Sequence, residues 1–129
     1  MESLAARLRV AMETIDLATM AELLAPDAKW GAPEQEVPTC RDAREILSWY
    51  EMARENGVRA DVTEVVVIGT HIMVGLKVLA NKERNPKSKN VARWQVLSTE
   101  GGRITEIRGY ETRGDASTFA QSGVSRWRS

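Results

Sequence analysis

The 129-residue sequence holds one cysteine, one histidine and one phenylalanine. Cys40 has no second thiol to meet, so an internal disulfide is excluded, and a reducing cytoplasm is the expected setting. A single Cys and a single His also exclude the usual Cys/His zinc clusters. No sign of charge prevails: Lys plus Arg equals Asp plus Glu at 18 each. A nucleic-acid surface calls for a basic excess, which is missing. No apolar run approaches the roughly 20 residues that span a bilayer. The opening "MESLAARLRV" carries an amphipathic pattern and not the hydrophobic region of a signal peptide. Glycines occur in "EGGRI", but outside the strand-to-helix setting of a phosphate loop. No cofactor, nucleic acid or membrane is therefore expected as a partner.

What is present suits one soluble domain over residues 1–129. Hydrophobic residues make up 43%, enough for a single core, and charged residues 28%. Leu4, Leu8, Ala11, Met12 and Ile15 recur at helical spacing. Asp16 is placed to cap a second short helix carrying Leu17, Met20, Leu23 and Leu24, with Pro26 as its expected end. A short strand is expected at Ala28–Gly31, stopped by Pro33. Thr39 and Asp42 have capping-box spacing before a third helix with Ala43, Ile46, Leu47, Tyr50 and Ala53 on its apolar face. Asn56-Gly57 supplies its stop.

After Gly57 the period changes from helix to strand. Val58, Ala60 and Val62 alternate with polar residues, and the strand runs to Ile68. Gly69-Thr70 is a two-residue hairpin signal, and His71 to about Ala80 returns antiparallel. "NKERNPKSKN" reads as a mobile basic loop, with Lys82, Arg84, Lys87 and Lys89 either solvated or forming a lid. Val91–Thr99, the "EGGR" turn and Ile104–Thr112 complete the strands, and "GDASTFAQSG" can add a terminal helix. This is α+β order, with helices on one face of a curling sheet and a ligand-sized cavity between them.

Three stretches, "MAELLAPDAKWGAP", "CRDAREILSWYEMARENG" and "ARWQVLSTEGGRITEIRGYETR", together resemble the SnoaL-like branch of the nuclear transport factor 2-like superfamily. The resemblance covers about Leu4 to Phe119. It implies a cone-shaped, cystatin-like α+β barrel whose mixed, largely antiparallel sheet wraps the N-terminal helices. It also implies a deep pocket and frequent dimerisation through the sheet. Function on such a fold has to be argued from the site.

The catalytic patterns that the resemblance brings are not filled. A ketosteroid isomerase-like site has a carboxylate before a proline after the first strand, and an oxyanion tyrosine on the first helix. Those positions hold Ala32 and Leu8. An epoxide hydrolase-like Arg/Asp/Asp set aligns near Gly75, Lys77 and Gly109. The acid of polyketide cyclase-like members falls near Gly109, with Glu111 the nearest carboxylate. His71, at a hairpin end, is expected to be an exposed turn residue, and Cys40 a buried structural thiol.

The remaining candidates are aromatic or charged. Trp30, Trp49, Tyr50 and Trp94 fall on elements that border the expected cavity, either as core or as an aromatic wall for a flat ligand. Trp127 is expected to cover a neighbour. Glu64 breaks the alternation of its strand, and either enters the pocket or is turned out by a bulge. The run "VVVI" is apolar on both faces, which suits a homodimer through the sheet. In the last strand Glu106, Arg108 and Tyr110 share one face, and Ile107, Gly109 and Glu111 the other. Twist or a bulge decides which set faces in.

The expectation is a small-molecule-binding protein with Trp30, Trp49, Tyr50, Trp94, Glu64 and Arg108 around an apolar or aromatic ligand. One alternative is a lyase, isomerase or cyclase using Glu111 or Glu64 as general base and Tyr110 as electrophilic partner. Another is a non-catalytic dimer module.

Overall fold

The computed structural model describes residues 3–32, 37–80, 83 and 85–122. Helix α1 (Leu4–Thr14) starts where the Ser3 hydroxyl accepts the Ala6 N–H at 3.1 Å. Helix α2 (Leu17–Leu23) is capped by Asp16, which accepts the Thr19 hydroxyl at 2.7 Å and its N–H at 3.2 Å. Those bonds hold the Asp16 carboxyl below its ordinary range. Pro26 does not end α2. The helix stops at Leu23, and Pro26 lies inside β1 (Leu24–Gly31). This strand is a sheet edge, and Pro26 falls in the gap between its paired residues Leu24 and Lys29. A residue without an N–H is tolerated there.

Helix α3 (Ala43–Glu55) is capped by Asp42, three residues later than Thr39. The Asp42 carboxylate accepts the Glu45 N–H at 2.9 Å, and Glu45 reaches back to the Arg41 N–H at 3.3 Å. Asp42 and Glu45 thus occupy the capping-box spacing that Thr39 and Asp42 also had, with Glu45 accepting from the residue before the cap. Four strands follow: β2 (Arg59–Ile68), β3 (His71–Leu79), β4 (Val91–Glu100) and β5 (Arg103–Tyr110). Gly101 and Gly102, at φ 60° and 79°, take the left-handed conformations that a two-residue turn between Glu100 and Arg103 demands.

The sheet order is β1-β5-β4-β3-β2, with β1 parallel to β5 and the other pairs antiparallel. The sheet curves without closing, so β1 and β2 remain its edges. On the inner face, Leu8, Met20, Leu23, Ile46, Leu97, Ile104 and Ile107 form the main core with α1, α2 and α3. Each such side chain, once buried, contributes roughly 1.5–3 kcal/mol.

The expectation that the helices keep to one face is corrected by α4 (Arg113–Ser122). It packs on the outer face, where Ala116, Phe119 and Ala120 meet Met73, Val96, Val66 and Ile68. The i, i+3, i+4 spacing of those three residues makes one apolar stripe. Val66 and Ile68 of the "VVVI" run therefore have an intrachain cover. Asn85, Lys87 and Ser88 of the basic loop form a turn closed on Asn85. Pro33, Lys82, Arg84 and Trp127 lie outside the described residues. Among the described residues no helix is long and apolar enough to cross a membrane.

Candidate functional site

Two bulges decide what faces inward. In β5, Ile104 pairs with Thr99 and Glu106 with Ser98, leaving Thr105 as the extra residue. Ile104 and Ile107 can then both reach the main core despite their spacing of three. Beyond the bulge, Ile107 and Gly109 face inward, and Arg108 faces α4.

Arg108 is thus corrected as a pocket residue. Its side chain is 1% exposed, donates to Glu106 Oε2 at 3.1 Å and lies 4.9 Å from the Phe119 ring centroid. It secures α4 to the sheet. Tyr110 shares that side, 6.0 Å from Phe119, and reaches the cavity lining at the strand's end.

In β2, Val62 pairs with Leu76 and Glu64 with Gly75, so Thr63 is the extra residue. The bulge carries Glu64 to the outer face, where it accepts from Arg113 Nε at 2.6 Å. Glu64 is not among the cavity-lining residues, which corrects its placement as a ligand contact and as a base. The bond from Glu64 also raises the Arg113 pKa above its usual range.

Between α1, α3 and the inner face lies a cavity of about 640 Å³. Trp30 stacks on Tyr50 at 5.5 Å, and Trp49 meets Trp30 edge-on at 5.9 Å. Backbone bonds between Trp30 and Cys40 fix this wall to the start of α3. All three rings line the cavity, and half of Trp49 is exposed (51%). A second space of about 240 Å³ shares Trp30, Ala32, Trp49 and Gly109.

Trp94 comes from a different layer. It pairs with Tyr110 and lays its ring across Gly75 on the α4 side, with the Arg113 guanidinium 5.9 Å from the ring centroid. It reaches the cavity with Tyr110 and Asp115.

Among the described residues, the charged groups lining the cavity are exposed ones: Arg59, Arg93, Glu111 and Asp115. Glu111 lines the cavity just past the end of β5. Two polar side chains lie deep: Tyr50, whose hydroxyl is buried without a hydrogen-bond partner, and Gln95, at the centre of β4 and 9% exposed. Sequence reasoning passed over Gln95, although it shares the parity of buried Leu97 in "RWQVL" and so marks a polar group on an inward face. Ala32 and Gly109 both line the cavity, and neither side chain can move a proton. Leu8 is fully buried in the core.

Cys40 is fully buried, and burial, with the charges of Glu45 and Asp42, pushes its thiol up to about 11. Burial, then Cys40, pushes the Tyr50 phenol well above its ordinary range. His71 is not an exposed turn residue: its Nδ1 lies 3.0 Å from the Ser98 hydroxyl, and its ring 5.5 Å from Phe119. The hairpin end carrying it is covered by α4. Among the described residues no group of three His, Cys, Asp or Glu side chains is placed to hold a metal.

With this geometry in view, the chain belongs to the SnoaL-like domain family, whose model matches residues 5–107. Among solved structures, a putative polyketide cyclase from Sinorhizobium meliloti is 22% identical, with a TM-score of 0.66 over 85% of this chain and 95% of that one. An uncharacterised cystatin-fold protein from Novosphingobium aromaticivorans is 15% identical, with a TM-score of 0.71 over 85% and 99%. A protein of ketosteroid isomerase-like fold from Catenulispora acidiphila, in complex with trimethylamine, is 18% identical, with a TM-score of 0.66 over 98% and 97%. These likenesses are likenesses of fold. No curated protein matches the chain.

Proposed function

We propose that this protein binds a small apolar or aromatic molecule in the cavity between α1, α3 and the sheet, with no reaction assigned. The observation that carries the reading is the wall of Trp30, Trp49 and Tyr50 along a cavity of about 640 Å³. That volume lies within the usual range for ligand pockets, and aromatic lining is what such pockets use. The test is a thermal-shift screen against apolar and aromatic metabolites, followed by tryptophan fluorescence quenching. Compounds that raise the melting point should also quench. A screen in which nothing shifts the melting point would end the proposal.

A catalytic reading rests on one observation: Glu111 is a carboxylate at the cavity next to the empty position of Gly109. As a general base it would serve lyase, isomerase or cyclase chemistry, with Tyr110 as the neighbouring hydroxyl. Glu111→Gln should then abolish turnover of any substrate found while leaving its binding within about threefold. Full turnover in that variant refutes the role. A homodimer through the sheet is the accompanying proposal on assembly, supported by Val67, which is 61% exposed on the edge strand β2. Light scattering that finds a monomer at micromolar concentration would refute it.

A further inference from the structure

The polar chemistry that a ligand can reach is at the cavity's mouth. The Tyr50 hydroxyl and Gln95 Oε1 lie deep but are sealed within the wall, so they meet no ligand. The charged lining residues are exposed and carry both signs: Arg59 and Arg93 against Glu111 and Asp115.

The fold sets the two signs apart. Glu111 follows the end of β5 and Asp115 lies in the first turn of α4, whereas Arg93 is on β4 and Arg59 on the edge strand β2. With β5 beside β4 and β2 at the far edge, the acids stand at one side of the mouth and the arginines extend toward the other. Arg93 and Glu111 are the next residues along after the paired Trp94 and Tyr110. Opposed positions on neighbouring strands hold Cβ atoms about 5 Å apart, well within reach of an ion pair. None forms there. Among the described residues, the ion pairs use none of these four side chains. The Arg93 guanidinium donates instead to the carbonyl of its own neighbour Ala92 at 3.1 Å.

Resting on the small-molecule reading above, we infer that the ligand is zwitterionic. Its flat aromatic body lies against Trp30 and Tyr50. Its carboxylate turns to Arg93 and Arg59, and its ammonium to Asp115 and Glu111. The chemical class is that of an aromatic amino acid. A head of one sign would meet one set of residues and be repelled by the other, and a neutral head would leave both to water. The head stays at the mouth and keeps part of its hydration, so the high cost of burying a charge does not arise.

The test is calorimetric titration of the whole protein with L-tryptophan, tryptamine, indole-3-propionate and 3-methylindole, which share one ring system and differ in head charge. Tryptophan should bind wild type at least roughly fivefold more tightly than each of the others, because an exposed ion pair contributes up to about 1 kcal/mol. Salt at about 0.5 M should shrink that lead. Arg93→Gln should abolish the lead over tryptamine, and Asp115→Asn should narrow the lead over indole-3-propionate. Binding of 3-methylindole should be unchanged in both variants. If 3-methylindole binds and tryptophan has no lead, or if the lead over tryptamine survives Arg93→Gln, the zwitterion is overturned and the cavity reading stands. Binding of none of the four probes overturns the inference together with the cavity reading it rests on.

Discussion

Gly75 is where two layers of this molecule meet. A Cβ added there would lie 2.7 Å from Thr63 Oγ1 and 2.8 Å from Trp94 Cη2. Trp94 Cζ3 lies nearer still, and ordinary contacts between carbon atoms are about 3.5–4.0 Å, so the indole has to retreat by more than roughly 1 Å. It has little room to do so, because Arg113 lies over the ring and Tyr110 beside it. Thr63 is held too, as the extra residue of the β2 bulge.

Overpacking of this kind costs about 1–3 kcal/mol, and the lower unfolded-chain entropy of Ala offsets about 0.5–1 kcal/mol of that. Gly75→Ala should therefore destabilise by about 1–2 kcal/mol and lower Tm by roughly 3–8 °C for a domain of this size. Urea and thermal denaturation measure it. Trp94→Val removes the obstructing ring, so the same Gly75→Ala change should cost at least about 1 kcal/mol less in that background. A wild-type Tm in Gly75→Ala, or an undiminished cost beside Trp94→Val, refutes the reasoning.

Gly109 is the opposite case. Gly109→Leu places its side chain in open space, so stability should stay within about 0.5 kcal/mol while binding of aromatic ligands is lost; both are read by thermal shift with and without probe. Glu106→Ala leaves the buried Arg108 with less compensating charge and should cost about 3–5 kcal/mol in urea unfolding; a loss below 1 kcal/mol would refute the importance of the pair. The folded-state pKa of Cys40 is raised, so its stabilising share is intact below the unfolded value near 9.0 and is lost as pH rises toward about 11. Unfolding free energy should therefore fall between pH 9 and 11. Cys40→Ala should flatten that slope in part, with Tyr50 supplying the rest at its upper end. At pH 8, the native thiol should resist alkylation.

Much of the fold was legible because it rests on local chemistry. Asp16 caps, Asn56-Gly57 stops, Gly101-Gly102 turns and strand alternation act over a few residues and can be read in order. Pro26 misled because edge position excuses a proline from the ladder, and edge position is a fact about neighbouring strands. Thr39 misled because two overlapping pairs had the same spacing. The site was less legible. The parity of "RITEIRGYETR" divided its reactive groups into two sets, yet the register could not be known without Thr105 as the extra residue. One such residue reverses every side chain beyond it. Glu64 moved to the outer face for the same reason, through Thr63. Arg108 went to α4 because the stripe of Ala116, Phe119 and Ala120 closes over the outer face, where a dimer partner was the alternative cover.

The sequence by itself determined the order of elements, the family and the absence of the proton-transferring groups that the resemblance calls for at Leu8, Ala32 and Gly109. Side-chain identity is enough for that. Only the tertiary structure decided that Gln95 and Gly109, partners in the β4–β5 ladder, both line the cavity while Arg108 and Glu64 do not enter it. Inward and outward are properties of paired strands, and a bulge changes them without changing a single residue type.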